Sequence, residues 1–161
     1  MKKIVLSLVL VTLVSGLCFA TELTGKWGIG AREGTFAVRR FFNNGFAGDI
    51  YLDYSSATMT GASDSNGASL GVAGVFVREI ADKTLLEFGA TVGGYSGIDS
   101  TGAAYTGLHV NPFVGGEYLM GDNFGFDFKI IIASYFSEMS GATRTTGFVG
   151  LASSWGAHLY F

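Results

Sequence analysis

Acid–base and nucleophilic chemistry would have to come from very few side chains in this chain. His109 and His158 are the two histidines among 161 residues, and Cys18 is the one cysteine. A serine hydrolase needs a serine, a histidine base and an orienting acid within mutual reach. Ser134, Ser137, Ser153 and Ser154 offer hydroxyls, and Asp64-Ser65 and Asp99-Ser100 pair an acid with one, but both histidines lie outside those two polar stretches. Two distant histidines make a poor zinc site. Asp64-Ser65-Asn66-Gly67 lacks the spaced carboxylates and closing Glu of a calcium loop, and Gly28-x-Gly30 does not open a helix after a strand. No catalytic, cofactor-binding or metal-binding residue is therefore expected, no cofactor, and no enzyme. What remains is a set of polar residues: Arg32, Arg39, Asp49, Asp53, Glu87, His109, Asn111, Glu117, Asp127, Lys129 and His158. Their chemistry depends on the elements that hold them.

The chain begins with Met1-Lys2-Lys3, an apolar stretch from Ile4 to Leu17, and Cys18-Phe19-Ala20, which puts small residues at −3 and −1 of a cleavage after Ala20. This is the plan of a secretory signal, so residues 1–20 are expected to direct export through the Sec pathway and 21–161 to form one domain. The stretch is short for a membrane helix, which needs about 20 apolar residues. Leu17 is too bulky before Cys18 for lipidation. Cleavage removes the cysteine, so no disulfide can form. It also leaves eight basic residues against thirteen acids, with no basic face for nucleic acid. Twenty-five glycines, one proline and 14% aromatics suit close-packed, continuously hydrogen-bonded strands.

The pattern beyond residue 20 has period two, the mark of strands with two different faces. Turn signals divide it into eight segments, about 25–32, 35–42, 46–56, 68–80, 83–96, 104–120, 124–138 and 144–161. In the seventh, Phe124, Phe126, Phe128, Ile130, Ile132, Ser134 and Phe136 fall on one face, with Ile131 an apolar intruder on the other. In the third, Asp49 and Asp53 share a face with Tyr51, which is costly in a dry core and natural in a hydrated or ion-paired interior. The last segment alternates Val149, Leu151, Ser153, Trp155, Ala157, Leu159 and Phe161 with smaller or more polar residues.

Asn43-Asn44-Gly45, Ala81-Asp82 and Gly121-Asp122-Asn123 read as tight turns. The connections at 57–67, 97–103 and 139–143 are longer and polar, while Glu33-Gly34 is short. Short turns on one rim and longer loops on the other is the asymmetry of outer-membrane barrels. The opening strand Gly25-Lys26-Trp27-Gly28-Ile29-Gly30-Ala31-Arg32, the hairpin Phe36 to Phe46, the run Pro112 to Leu119 into Gly121-Asp122-Asn123, and the aromatic terminus resemble the bacterial outer membrane protein β-barrel domain family, the small OmpA-like or OmpX-like barrels.

The resemblance implies an all-β fold, an eight-stranded antiparallel up-and-down transmembrane barrel with both termini periplasmic. Trp155, Leu159 and Phe161 would form the terminal signal read by the barrel-assembly machinery. Hydrocarbon-tolerant residues, among them Trp27, Ile29, Val38, Ile50, Leu52, Val72, Phe76, Phe88, Val92, Leu108, Val110, Val114, Phe126, Phe128, Ile130, Val149 and Leu151, are assigned outward. Arg40 and Arg78 fall outward near the periplasmic rim, and the polar set named above faces the lumen. Eight strands enclose a space that side chains can fill. The expected protein is a non-enzymatic monomer of the outer membrane, in contact with its lipids and lipopolysaccharide, with a plugged polar lumen and a structural or surface-interacting role. A narrow or gated pore is the alternative. A lipid A-modifying acyl enzyme fits less well, because Asn111 and Tyr160 occupy the positions two after the histidines where a deacylase of this class carries serine.

Overall fold

A computed structural model describes residues 22–57 and 64–161; the expected signal and its cleavage site lie outside the described residues. The strands are β1 (Trp27–Arg32), β2 (Thr35–Asn43), β3 (Phe46–Ala57), β4 (Ser65–Ala81), β5 (Thr84–Ile98), β6 (Ala104–Met120), β7 (Phe124–Ile131), β8 (Ser134–Ser140), β9 (Thr143–Val149) and β10 (Ala152–Tyr160). β1 to β7 pair antiparallel in sequence order, β8 pairs with β6 and β9, and β10 pairs with β7 on one side and with β1 on the other, from Gly28↔Tyr160 to Arg32↔Gly156. That pairing closes the sheet. Since β7 runs on into β8 and β9 into β10, the wall has eight staves, and the fold is a closed eight-stranded antiparallel barrel. No described helix is long and apolar enough to cross a membrane, which says nothing about strands.

The two interruptions have a physical cause. β6 pairs Phe113 with Ile131 but Val110 with Tyr135, so the seventh stave carries one extra residue around Ile132-Ala133. Opposite that bulge stands Pro112, which has no N–H to give, and its carbonyl accepts from Ile132 N at 2.9 Å. The extra residue reverses the alternation. Ile130 stays outward and Ile131 inward, but Phe136 turns inward beside His109, against the single face expected for Phe124 to Phe136. The matching break at 150–151 places Val149 opposite inward-facing Ser134, so Val149 leaves the lipid-facing set; Leu151 is 77% exposed.

Several boundaries also shift. The β3–β4 ladder continues to Ala57↔Ser65, beyond the loop expected at 57–67, and the turn after β4 is Asp82-Lys83, with Lys83 at φ +59°, not Ala81-Asp82. The β1–β2 turn, Glu33-Gly34, has positive φ at both residues, the requirement of a two-residue type I′ hairpin. The outer surface is apolar around the barrel: Ile50, Leu52, Val72, Phe76, Phe88, Val92, Leu108, Phe126, Phe128 and Ile130 are all exposed. Arg40, at the end where β1 begins, lies over the Trp27 ring at 4.9 Å, its stem against aromatic surface.

Candidate functional site

The interior is layered, and each layer follows from which inward residue each stave presents at that height. At the end where Trp27 meets Phe161, Phe41, Ala47, Val75, Val77, Leu85, Leu119 and Tyr160 form an apolar floor. Leu23 completes it from the N-terminal segment, held by its N–H to Asn44 Oδ1 at 2.9 Å. This floor departs from the wholly polar lumen expected from the sequence. Its signal was present in the odd-numbered apolar residues of β4, Val75 and Val77, facing away from Phe76.

Above the floor lies an ionic layer. Arg39 on β2 is fully buried. Its Nε and Nη2 clasp the two Asp49 oxygens at 2.7 and 2.8 Å, while Nη1 reaches Glu117 Oε2 at 2.8 Å and also bonds Glu87. Lys129 Nζ stands 3.2 Å from Glu87 Oε2 and 3.4 Å from Asp49 Oδ2, with the Phe113 ring 4.3 Å away. Arg32 donates to Asp127 Oδ1 at 2.6 Å and to the Tyr51 hydroxyl at 2.8 Å; Tyr51 in turn donates to Asp49. Tyr160 donates to Glu117 Oε1 at 2.5 Å, and His158 Nδ1 lies 3.2 Å from Asp127 Oδ2. Three cations thus face four carboxylates, with an imidazole beside two of them. Burying these charges is tolerable only because each has partners in fixed geometry.

Eight of the expected lumen residues therefore meet in one network: Arg32, Arg39, Asp49, Glu87, Glu117, Asp127, Lys129 and His158. Tyr51 and Tyr160 join them. Asp53 and His109 do not. Asp53 lies level with Ser69, beyond the last β2–β3 pair, Phe36↔Leu52, so it stands above the network toward the rim opposite the floor. His109 is half-buried higher on β6 and stacks on Tyr95 at 6.1 Å. Asn111 accepts from Ser134 Oγ at 2.7 Å.

The third layer is a vestibule of about 230 Å³ on the far side of the network from the floor. Every stave gives it one polar side chain: Arg32, Thr35, Tyr51, Ser69, Thr91, His109, Lys129 and Ser154. Phe113 and Ile131 add apolar surface, and Glu33 stands at its edge on the low β1–β2 turn. Among the described residues no serine hydroxyl hydrogen-bonds either histidine, and no group of three or more His, Cys, Asp or Glu side chains is disposed to hold a metal.

No family model matches the chain, and no curated protein sequence matches it. Among solved structures the chain is similar to the crystal structure of Ail, the attachment invasion locus protein of Yersinia pestis, at 18% identity over 84% of this chain and 93% of that one, with a TM-score of 0.42.

Proposed function

We propose that this chain is a non-enzymatic integral barrel of the outer membrane whose lumen is sealed, and that its work is structural or done at its outer surface. The ionic layer carries this reading. Arg39, Lys129 and their carboxylates are almost wholly buried across the width of an eight-stave lumen, with an apolar floor beneath. The apolar exterior supports immersion in lipid, since a closed barrel satisfies every backbone group internally. The tight turns at 43–45, 82–83 and 121–123 share a rim with both ends of the sheet, which supports periplasmic termini.

Trp155, Leu159 and Phe161 face outward on the closing strand. Phe161 exchanges backbone hydrogen bonds with Trp27 at 2.9 and 3.0 Å. That position suits a terminal signal for the assembly machinery, with lipid and lipopolysaccharide as the barrel's neighbours and the monomer as its working form. The narrow-pore reading keeps one observation in its favour: the vestibule already reaches Lys129 from outside.

The barrel is tested by its migration on a gel, where the folded form should shift on boiling. The seal is tested by adding the refolded protein to a planar bilayer. A heat-modifiable band with no stable conductance steps is the expected pair. Reproducible steps would transfer the assignment to a pore, and a band indifferent to boiling would remove the barrel.

A further inference from the structure

We propose that the vestibule is a binding site for one neutral polyhydroxylated ring, a sugar unit, presented either free or as part of a glycolipid of the outer leaflet. The site rests on the barrel reading, with the vestibule facing outward.

Both cations lining the space are already committed, and the one lining carboxylate, Glu33, stands at its edge and would repel an anion. Arg32 is 2.6 Å from Asp127, and Lys129 is bound between Glu87 and Asp49. An ionic ligand would have to pull one of these away from its partner and leave a buried charge uncompensated. Deeper in the space, what is uncommitted is neutral or spare. The hydroxyls of Thr35, Ser69, Thr91 and Ser154 take no partner on the chain among the described residues. Arg32 Nε is buried without a hydrogen-bond partner. Hydroxyls donate and accept at once, so a ring of them pairs reciprocally with the hydroxyls of a sugar. Phe113 and Ile131 offer apolar surface to the C–H face of such a ring.

Size and access agree. About 230 Å³ is below the roughly 300–1,000 Å³ of pockets for drug-sized ligands, so one ring fits and an oligosaccharide does not. The β1–β2 turn ends the wall early: β3 beyond Leu52 has no β2 neighbour, and β9 pairs with β8 alone among the described residues. The vestibule therefore opens sideways above Glu33-Gly34 as well as upward, which admits a ring still attached to a lipid.

The test is amide NMR of the isotope-labelled full barrel in phosphatidylcholine nanodiscs, titrated with methyl glucoside, methyl galactoside and glucose 6-phosphate. A second arm uses nanodiscs with and without lipopolysaccharide. The expected result is saturable shifts at Ser69, Thr91 and Ser154 with a neutral glycoside, with Kd in about the millimolar range. If only lipopolysaccharide produces them, the source is the glycolipid and the site stands. Ser69→Phe fills the space and should weaken binding at least about tenfold while leaving heat-modifiable migration unchanged. No saturable shift in either arm, equal affinity in Ser69→Phe, or tighter binding of the phosphate than of the neutral glycosides overturns the proposal. Loss of heat-modifiability in the parent protein would instead strike the barrel reading itself.

Discussion

Arg39 divides its guanidinium among carboxylates from three staves, Asp49, Glu87 and Glu117, with no contact to solvent. Removing one partner from a buried ionic cluster leaves the others uncompensated, which typically costs about 3–5 kcal/mol. Arg39→Ala should therefore lower the unfolding free energy from urea titration by an amount of that order, with a correspondingly lower midpoint. Arg39→Lys keeps the charge but loses the planar fork, so its midpoint should fall between the two; an Ala variant as stable as the parent would count against the network. At the rim opposite the floor a single carboxylate does smaller work. Thr101 Oγ1 and the backbone N–H groups of Thr101 and Ala103 donate to Asp99 and hold its carboxyl below the usual range. A depressed pKa stabilises the loop above the ordinary carboxylate pKa, and that support is lost as pH falls through the depressed value. Protection of the Ala103 amide from hydrogen exchange should thus persist at neutral pH and disappear only in strong acid, whereas in Asp99→Asn it should not vary with pH. Arg39 could be picked from the sequence because Val38 and Arg39 must face opposite ways and only one tolerates lipid. Its partners could not, since several carboxylates share the lumen and the stagger of the staves decides which meet.

Strand alternation made the eight staves legible, and it failed only where an element breaks its own period. The bulge opposite Pro112 moved Phe136 to the lumen and Val149 with it, and nothing in the pattern of 124–136 announces that reversal. The proline was the available clue, because a residue without an N–H inside a long strand marks a bulge or an edge. The abundance of glycine also gains a reason at this scale. Inward aromatic and long side chains lie flat on a neighbouring stave, and glycine leaves them room: His109 over Gly93, Tyr95 over Gly107, Phe136 over Gly147 and Lys129 over Gly115. Gly89 is more demanding still, because a Cβ there would collide with the carbonyl oxygen of Gly74 and press on the Phe113 ring. Gly89→Ala should destabilise the barrel by about 1–3 kcal/mol, the scale of an overpacked interior. Gly150→Ala, where a Cβ meets nothing within 4 Å, is the control and should leave the urea midpoint unchanged. Equal midpoints for the two variants would sink the packing account.

Across the whole molecule, polarity is inverted outside and graded within: apolar wall, then floor, ionic layer and hydroxyl-lined vestibule from one rim to the other. The inversion was readable because charges repeatedly fell on the face opposite Phe, Val and Ile. The grading was not, because height in a tilted barrel depends on register between staves and not on any one strand. That grading decides how the lumen can be opened. An ion crossing it must first disrupt the Arg39 and Lys129 pairs and then pass Phe41, Leu85, Leu119 and Tyr160, where no ionised partner awaits it. Two seals in series mean that weakening one leaves the other. Lys129→Ala should therefore lower stability, since Glu87 and Asp49 lose a counter-charge, yet remain silent in a planar bilayer. Pairing it with Phe41→Ala, which opens the floor, should be the first combination to pass current. Stable steps from Lys129→Ala alone would show that the floor does not seal and that the ionic layer is the whole gate.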